Sequence, residues 1–170
     1  MPLKPRLGYS TPNVDGQTGP DRIFPVQMDG GVIFARRGGK AVDKHGGYFR
    51  LATANSSNLA GFACTENWPK SLGATHPASL KIMSTTGMDV PVNFHLQCSF
   101  IFPTSNRPAV EGDRGHDFDI VVPGQTVGTP VQCINMASSA QGILRVSQIM
   151  DQYGDFVACT IPPGKRYGNL

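Results

Sequence analysis

The chain is predicted to be all-β: a compact barrel or sandwich of short antiparallel strands with an extended N-terminal arm and a C-terminal tail. Three observations predict it. Glycine pairs at Gly30-Gly31, Gly38-Gly39 and Gly46-Gly47 cut residues 29–68 into short runs, VIFA, KAVD, YFRLATA and LAGFAC. Glycine tolerates positive φ, so paired glycines between apolar runs mark tight chain reversals. None of the runs is long enough for an amphipathic helix, and each carries β-branched or aromatic residues. Further on, Val92, Phe94, Leu96 and Cys98 alternate with Asn93, His95, Gln97 and Ser99. That period of two belongs to a half-buried strand.

The elements follow in order. Residues 1–25 hold Pro2, Pro5, Pro12, Pro20 and Pro25 among Gly8, Gly16 and Gly19. Proline removes a donor and restricts its predecessor, so an extended arm is expected there. Residues 26–65 form the glycine-punctuated meander. Pro69, Gly73 and Pro77 make 66–79 a loop, and strands are expected over 80–83 and 90–102. Residues 103–115 read as a polar loop and 116–122 as a strand closed by Pro123-Gly124. Residues 127–136 read as a strand whose start Pro130 places at an edge or bulge. Residues 143–150 fit a strand or a short helix. The turn DQYG and the returning run FVACTI make a hairpin with them, which favours strand. Residues 26–161 are therefore the β domain, whole or as two small lobes over 26–66 and 80–161, and 162–170 form an extended tail.

Composition narrows the function classes. Glycine (20) and proline (14) make up a fifth of 170 residues, while charged residues are 16% against roughly 25% in an average chain. Disordered chains are usually charge-rich, so a loop-rich folded domain whose surface meets partners fits better. The net charge of +3, from 15 basic and 12 acidic residues, is too small and dispersed for a nucleic-acid footprint. Basic residues concentrate only at Lys4/Arg6, Arg36/Arg37/Lys40 and Lys165/Arg166. Cys64, Cys98, Cys133 and Cys159 lie far apart in apolar runs, as buried thiols do, without the pairing of a zinc site. A secretory signal and a bilayer-spanning run are both missing, so a soluble protein made in the cytoplasm is expected.

Candidate chemistry is thin. Glu111, Asp113, His116, Asp117 and Asp119 in EGDRGHDFD supply the groups of a hard-metal or acid–base site. Their spacing matches no EF-hand, and on a strand His116 and Phe118 share one face while Asp117 and Asp119 share the other. A solvated acidic loop is the expectation. ARRGGK at 35–40 has the glycines and lysine of a phosphate cradle but not the P-loop spacing. His45, His76, His95 and His116 lie in separate segments, and no nucleophile elbow or HExxH occurs. Asn55-Ser56-Ser57 matches a glycosylation acceptor, which has meaning only in a secreted chain. Tyr48, Phe49 and Arg50 give one short aromatic–basic run of the kind that stacks on single strands.

The Pro/Gly-rich arm, DGGVIFARRGGKAVDK, LATANSSNLAGFA and the PPGKR tail resemble the small decoration, or cement, proteins of tailed-phage capsids. The resembling core is residues 25–66, where a β module ending in G-F/I-A recurs in that family. The resemblance implies a non-enzymatic virion protein, without cofactor or metal, made in the host cytoplasm and bound to the capsid exterior. Its partners would be the major capsid protein and other copies of itself, as a trimer ahead of a dimer, with no nucleic acid or membrane involved. The expected partner contacts are Lys4, Arg6, Tyr9, Arg22 and Phe24 in the arm; Arg36, Arg37 and Lys40 in the second glycine turn; Trp68; and Lys165, Arg166 and Tyr167 in the tail. Two alternatives stand beside this: a small β-barrel hydrolase using His116 with Asp113 or Asp117, and a nucleic-acid- or glycan-binding β module using Arg36, Arg37, Lys40 and Tyr48.

Overall fold

The computed structural model describes residues 10–11, 23–29, 33–35, 41–63, 81–83, 88–93, 99–122 and 132–167. The strands in chain order are β1 (Ser10–Thr11), β2 (Ile23–Met28), β3 (Ile33–Ala35), β4 (Ala41–His45), β5 (Tyr48–Leu51), β6 (Leu59–Ala63) and β7 (Lys81–Met83). They continue with β8 (Met88–Asn93), β9 (Ser99–Ser105), β10 (Asp117–Val121), β11 (Cys133–Asn135), β12 (Leu144–Ile149) and β13 (Phe156–Thr160). Short 3-10 turns cover Glu111–Asp113 and Pro163–Lys165. The chain is all-β, as expected, and among the described residues no helix is long and apolar enough to cross a membrane.

Two rings of strands organise the molecule. In the first, β2, β5, β4, β6 and β8 close a barrel in that order. In the second, β9, β11, β10, β12 and β13 follow one another, and β13 pairs back onto β9. An odd number of strands cannot alternate direction all the way round, so each ring holds a parallel pair. These are β2–β5, joined at Met28↔Phe49, and β9–β11, joined at Ile134↔Thr104 and Asn135↔Ser105. The expected antiparallel pattern is corrected at those two seams. β1 adds to β9 at Ser10↔Phe100 and Thr11↔Ser99, while β3 and β7 form a separate two-stranded sheet.

The turn at Gly46-Gly47 is a hairpin reversal, with Gly46 at φ 58° between the paired residues His45 and Tyr48. Gly30-Gly31 and Gly38-Gly39 lie outside the described residues. Gly61, inside LAGFA, has a different reason to be glycine. A Cβ there would collide with the Asn93 backbone carbonyl, so the missing side chain lets β6 and β8 approach closely.

Several expected boundaries move. The arm was expected to run to residue 25, but β2 already begins at Ile23, and Pro25 stands opposite Pro91 in the β2–β8 ladder. Opposed prolines fit a non-hydrogen-bonded site of an antiparallel ladder, where neither missing N–H faces the partner strand. The six register pairs of that ladder also make β8 part of the first ring, so the division into 26–66 and 80–161 cuts through it. Residues 94–98 of the alternating run lie outside the described residues. Val92 and Asn93 are both buried, because both faces of β8 are covered at this end. The expected loop from 103 is strand as far as Ser105, since Pro103 pairs with Phe156 and Thr104–Ser105 with β11. The hairpin at the end of the domain is β12–β13, with a register shift between Val146 and Gln148.

Val26, Met28, Val42, Ala63 and Val92 pack together in the first ring, with Phe49 and Leu51 against them. The larger core joins the two rings. Ala41, Ala52, Leu59 and Phe62 of the first meet Phe100, Phe102, Phe118, Ile120, Ile134, Leu144, Val146 and Val157 of the second. Phe62 stacks on Phe100 with centroids 4.7 Å apart and meets Phe102 at 5.9 Å. Gln132, 1% exposed, straps the rings beside this core. Its Oε1 accepts from the Ala41 N–H (2.7 Å), and its Nε2 donates to the carbonyls of Ala41 (3.1 Å) and Ala52 (2.8 Å). Cys133 and Cys159 are buried free thiols, and burial pushes both pKa values up. Cys64 and Cys98 lie outside the described residues.

Candidate functional site

The acidic stretch at 111–119 resolves into separate structural ties. Asp113 accepts a bidentate pair from Arg107 (2.8 Å to each oxygen) and a third bond from the Val110 N–H (2.8 Å). The Arg107 bond holds its carboxyl below the usual carboxylate range, against the opposing effect of burial. The Arg107 guanidinium also lies 6.0 Å from the Phe118 ring centroid. Glu111 pairs with Arg114 on the surface at 2.6 Å. Asp117 sits opposite Arg145 in the β10–β12 ladder and takes two bonds from it, at 2.7 and 3.1 Å.

Asp119 points the same way as Asp117 but is buried. It accepts from the Ser138 hydroxyl (2.6 Å) and from the N–H groups of Gln141 and Gly142 (2.8 Å each). Burial disfavours its charge, yet these donors together outweigh burial and lower the pKa. The expected solvated loop is therefore corrected: Asp113 and Asp119 are buried, because an arginine fork and a set of loop donors satisfy them. His116 is exposed, and its backbone ties Asp113 to Val146 through bonds of 3.2 and 3.0 Å. Each carboxylate here already neutralises a cation or pins a loop, and His116 lies near enough to Asp113 to help lower its pKa. Among the described residues no three His, Cys, Asp or Glu side chains group as metal ligands.

A second polar cluster lies on the outer face of the first ring. Asp43, 3% exposed, accepts from Ser56 Oγ at 2.5 Å, while Ser56 accepts from the Thr53 N–H at 2.9 Å. Arg50 stands opposite Asp43 in the β4–β5 ladder, its Nε 3.8 Å from Oδ2. That Nε is buried without a hydrogen-bond partner, so Arg50 contributes charge compensation here more than a formed bond. Ser56, part of the glycosylation-like triplet, is a loop brace.

The expected partner contacts divide sharply. Lys4, Arg6, Tyr9, Arg22, Arg36, Arg37, Lys40 and Trp68 lie outside the described residues. Phe24 falls on β2, in register with Val92. Arg166 and Tyr167 come together with the first ring, and Lys165 ends the short turn before them. The tail was expected to be extended; instead Pro163–Lys165 turns in a 3-10 helix, and Arg166 makes a parallel bridge to Leu59 of β6. Proline fits the start of such a turn because the first N–H groups have no partner within it. Arg166 Nε bonds the Ile161 carbonyl at 3.3 Å. Tyr167 then reaches Phe49 of β5 in an edge-on contact, centroids 6.4 Å apart.

Lys44, cross-strand from Phe49, places its Nζ 4.7 Å from the same ring. Phe49 is therefore the meeting point of Lys44 and Tyr167. Lys44 and Phe49 were not among the expected partner contacts. The only available signal for them was the aromatic–basic run at Tyr48–Arg50. Compared with protein-family models, with curated proteins and with solved structures, the chain matches none.

Proposed function

We propose that the protein is a non-enzymatic structural component of a virion: it binds the outer surface of an assembled phage capsid as a homo-oligomer and bridges subunits of the major capsid protein. One observation carries the reading. Among the described residues, the large apolar side chains left exposed, Val110 (58%), Val122 (45%), Tyr153 (68%) and Tyr167 (45%), all sit at strand ends, turns or the tail, while the carboxylates of the 111–119 stretch are engaged in internal ties. A rigid framework that displays aromatic and apolar tips is suited to contact.

The Gly154 turn shows how such a tip is held. Gly154, at φ 72°, gives its carbonyl to the Ala109 N–H (2.8 Å) and to Thr104 Oγ1 (3.0 Å). This bracing fixes the turn that presents Tyr153 beside the loop that presents Val110. Several modest contacts of this kind act together when an oligomer binds a repetitive shell, because the second contact forms at high effective concentration.

The test is co-sedimentation with capsids lacking the protein, using the full chain and a variant without residues 1–21. The expected result is loss of capsid binding by the truncated variant with its thermal transition intact. The fold should survive, because β9 keeps β11 and β13 when β1 is removed. Unchanged occupancy on capsids would refute the role given to the arm, and full-length protein that stays in the supernatant would refute the shell reading itself.

A further inference from the structure

We infer that the turn between β12 and β13, with Tyr153 at its tip, is a docking point for a protein partner that presents an arginine. Only the identity of that partner rests on the capsid reading; the chemistry follows from the turn. Tyr153 is 68% exposed, and Asp151 and Asp155 each lie two residues from it. Asp155 is exposed. Asp151 Oδ1 accepts the Phe156 N–H at 3.1 Å, which carries the other carboxylate across the turn to the residue next to Asp155. An aromatic ring and two carboxylates in one short turn supply both partners that a guanidinium favours, a π-face and an anionic fork.

The cations of the adjoining loop do not cancel this charge. The Gly154 carbonyl accepts from the Ala109 N–H, so Tyr153 and Val110 flank a direct backbone contact between turn and loop. In that loop Arg107 gives both terminal nitrogens to Asp113, and Arg114 pairs with Glu111. Those two pairs are neutral. Asp151 and Asp155 are thus the unbalanced charges here among the described residues, and the tip is complementary to a basic surface.

Loop tips commonly open at little cost, but this one is held on both sides of Tyr153. The Asp151 carbonyl accepts from the Gly154 N–H (3.3 Å), and the Gly154 carbonyl from the Ala109 N–H (2.8 Å) and Thr104 Oγ1 (3.0 Å). The Asp155 carbonyl accepts from the Thr104 N–H at 2.9 Å. Backbone ordering is therefore complete before a partner arrives. Two carboxylates beside the ring also repel phosphates, which sets the tip apart from a nucleic-acid stacking platform.

An oligo-arginine peptide immobilised on a sensor serves as the probe, with an oligo-lysine of equal length as its counterpart. The chain carries a net +3, so its overall field opposes binding to either, and affinity reports a local site. Full-length protein is compared with Tyr153→Ser, Tyr153→Phe, Gln152→Ala and the double variant Asp151→Asn/Asp155→Asn. Tyr153→Ser and the double variant should each bind oligo-arginine about fivefold more weakly. Tyr153→Phe keeps the ring, and Gln152→Ala keeps ring and carboxylates, so both should bind as the parent does. Oligo-lysine should bind the parent more weakly, because an ammonium is more strongly hydrated and does not stack. Asparagine at 151 retains an oxygen for the Phe156 N–H; if the double variant nevertheless melts earlier, Tyr153→Ser at the exposed tip decides the matter.

An equal loss in Gln152→Ala, or no loss in Tyr153→Ser and the double variant, overturns the inference. So does oligo-lysine that binds as tightly as oligo-arginine. Self-association of the parent that Tyr153→Ser abolishes, without binding to oligo-arginine, overturns it in favour of a second copy of the chain. Capsid sedimentation separates the two readings. Protein that binds oligo-arginine through this tip but ignores capsids refutes the shell reading alone. Capsid binding that is unchanged in Tyr153→Ser and in the double variant overturns this inference alone.

Discussion

Replacing Gln132 by leucine tests whether the two rings are held together as a unit. The side-chain amide satisfies three backbone groups of the first ring from a position just before β11 of the second. Leucine has similar bulk and no polar atoms. The Ala41 carbonyl keeps a bond from the Ala52 N–H at 2.8 Å, but the Ala41 N–H and the Ala52 carbonyl lose the partner seen here. Stranding a buried backbone donor or acceptor costs about 1–3 kcal/mol each, and the leucine methyls recover part of that, leaving a net loss of about 3 kcal/mol. With a urea m-value of about 2 kcal/mol/M, the midpoint should fall by about 1.5 M at unchanged slope. Equilibrium unfolding followed by Trp68 fluorescence and by circular dichroism reads both quantities. A midpoint within about 0.3 M of the parent would mean that water or a small backbone shift replaces the amide, and the strut would not be a strut. A split into two transitions would show that the amide couples two otherwise independent rings.

Two further predictions concern the second ring. Gly154→Ala places a methyl against the Ala109 backbone at positive φ and should cost at least about 2 kcal/mol, whereas Gly164→Ala, where a Cβ meets open space, should be nearly neutral. Equal melting temperatures for the two variants would refute the bracing of the Tyr153 turn. Asp113 has a folded pKa lowered chiefly by its Arg107 bond, so the stability it contributes is present above the unfolded carboxylate value of about 3.9 and is lost as pH falls through the lower folded value. Urea midpoints measured from about pH 6 down to about pH 2 should therefore show Asp113→Asn well below the parent at the upper end and converging on it at the acidic end. Parallel curves would refute the assignment.

Local signals carried the strands, and long-range geometry carried most of the rest. The β4–β5 hairpin was legible because Gly46-Gly47 separates runs of the right length, and β12–β13 because DQYG separates ILRVSQIM from FVACTI. Pro25 misled for a physical reason. A proline breaks a ladder only where its N–H is needed, and Pro91, sixty-six residues later, marks the site as one where it is not. Nothing local to either proline announces the other. The parallel seams were hidden in the same way, since strand direction follows from ring closure and not from residue pattern. Within the acidic stretch, Asp119 looks like a solvent-facing strand residue until Ser138, Gln141 and Gly142 arrive from another segment to bury it. The seat of Tyr167 on Phe49 was not legible, because the two lie more than a hundred residues apart.

The sparse charge of this chain has a consequence for how it meets a partner. Four acids of the second ring are drawn inward or paired: Asp113 with Arg107, Asp117 with Arg145, Asp119 with a loop, Glu111 with Arg114; Asp155, in the β12–β13 turn, is exposed. The same pairing occupies Arg107, Arg145 and Arg114. The C-terminal turn that carries Lys165 and Arg166 folds onto the first ring through the Leu59 bridge and the Tyr167–Phe49 contact. A short tail with no seat on the ring would spread the same charges over many conformations and lose them to screening beyond about 10 Å. The bridge to Leu59 and the Tyr167–Phe49 contact fix them in one place, so the ordering entropy is met during folding and not at the moment of binding. On that reasoning, removing the Phe49 ring should loosen the tail even with every cation retained. Phe49, half-buried beneath both Lys44 and Tyr167, is the side chain on which that coupling depends.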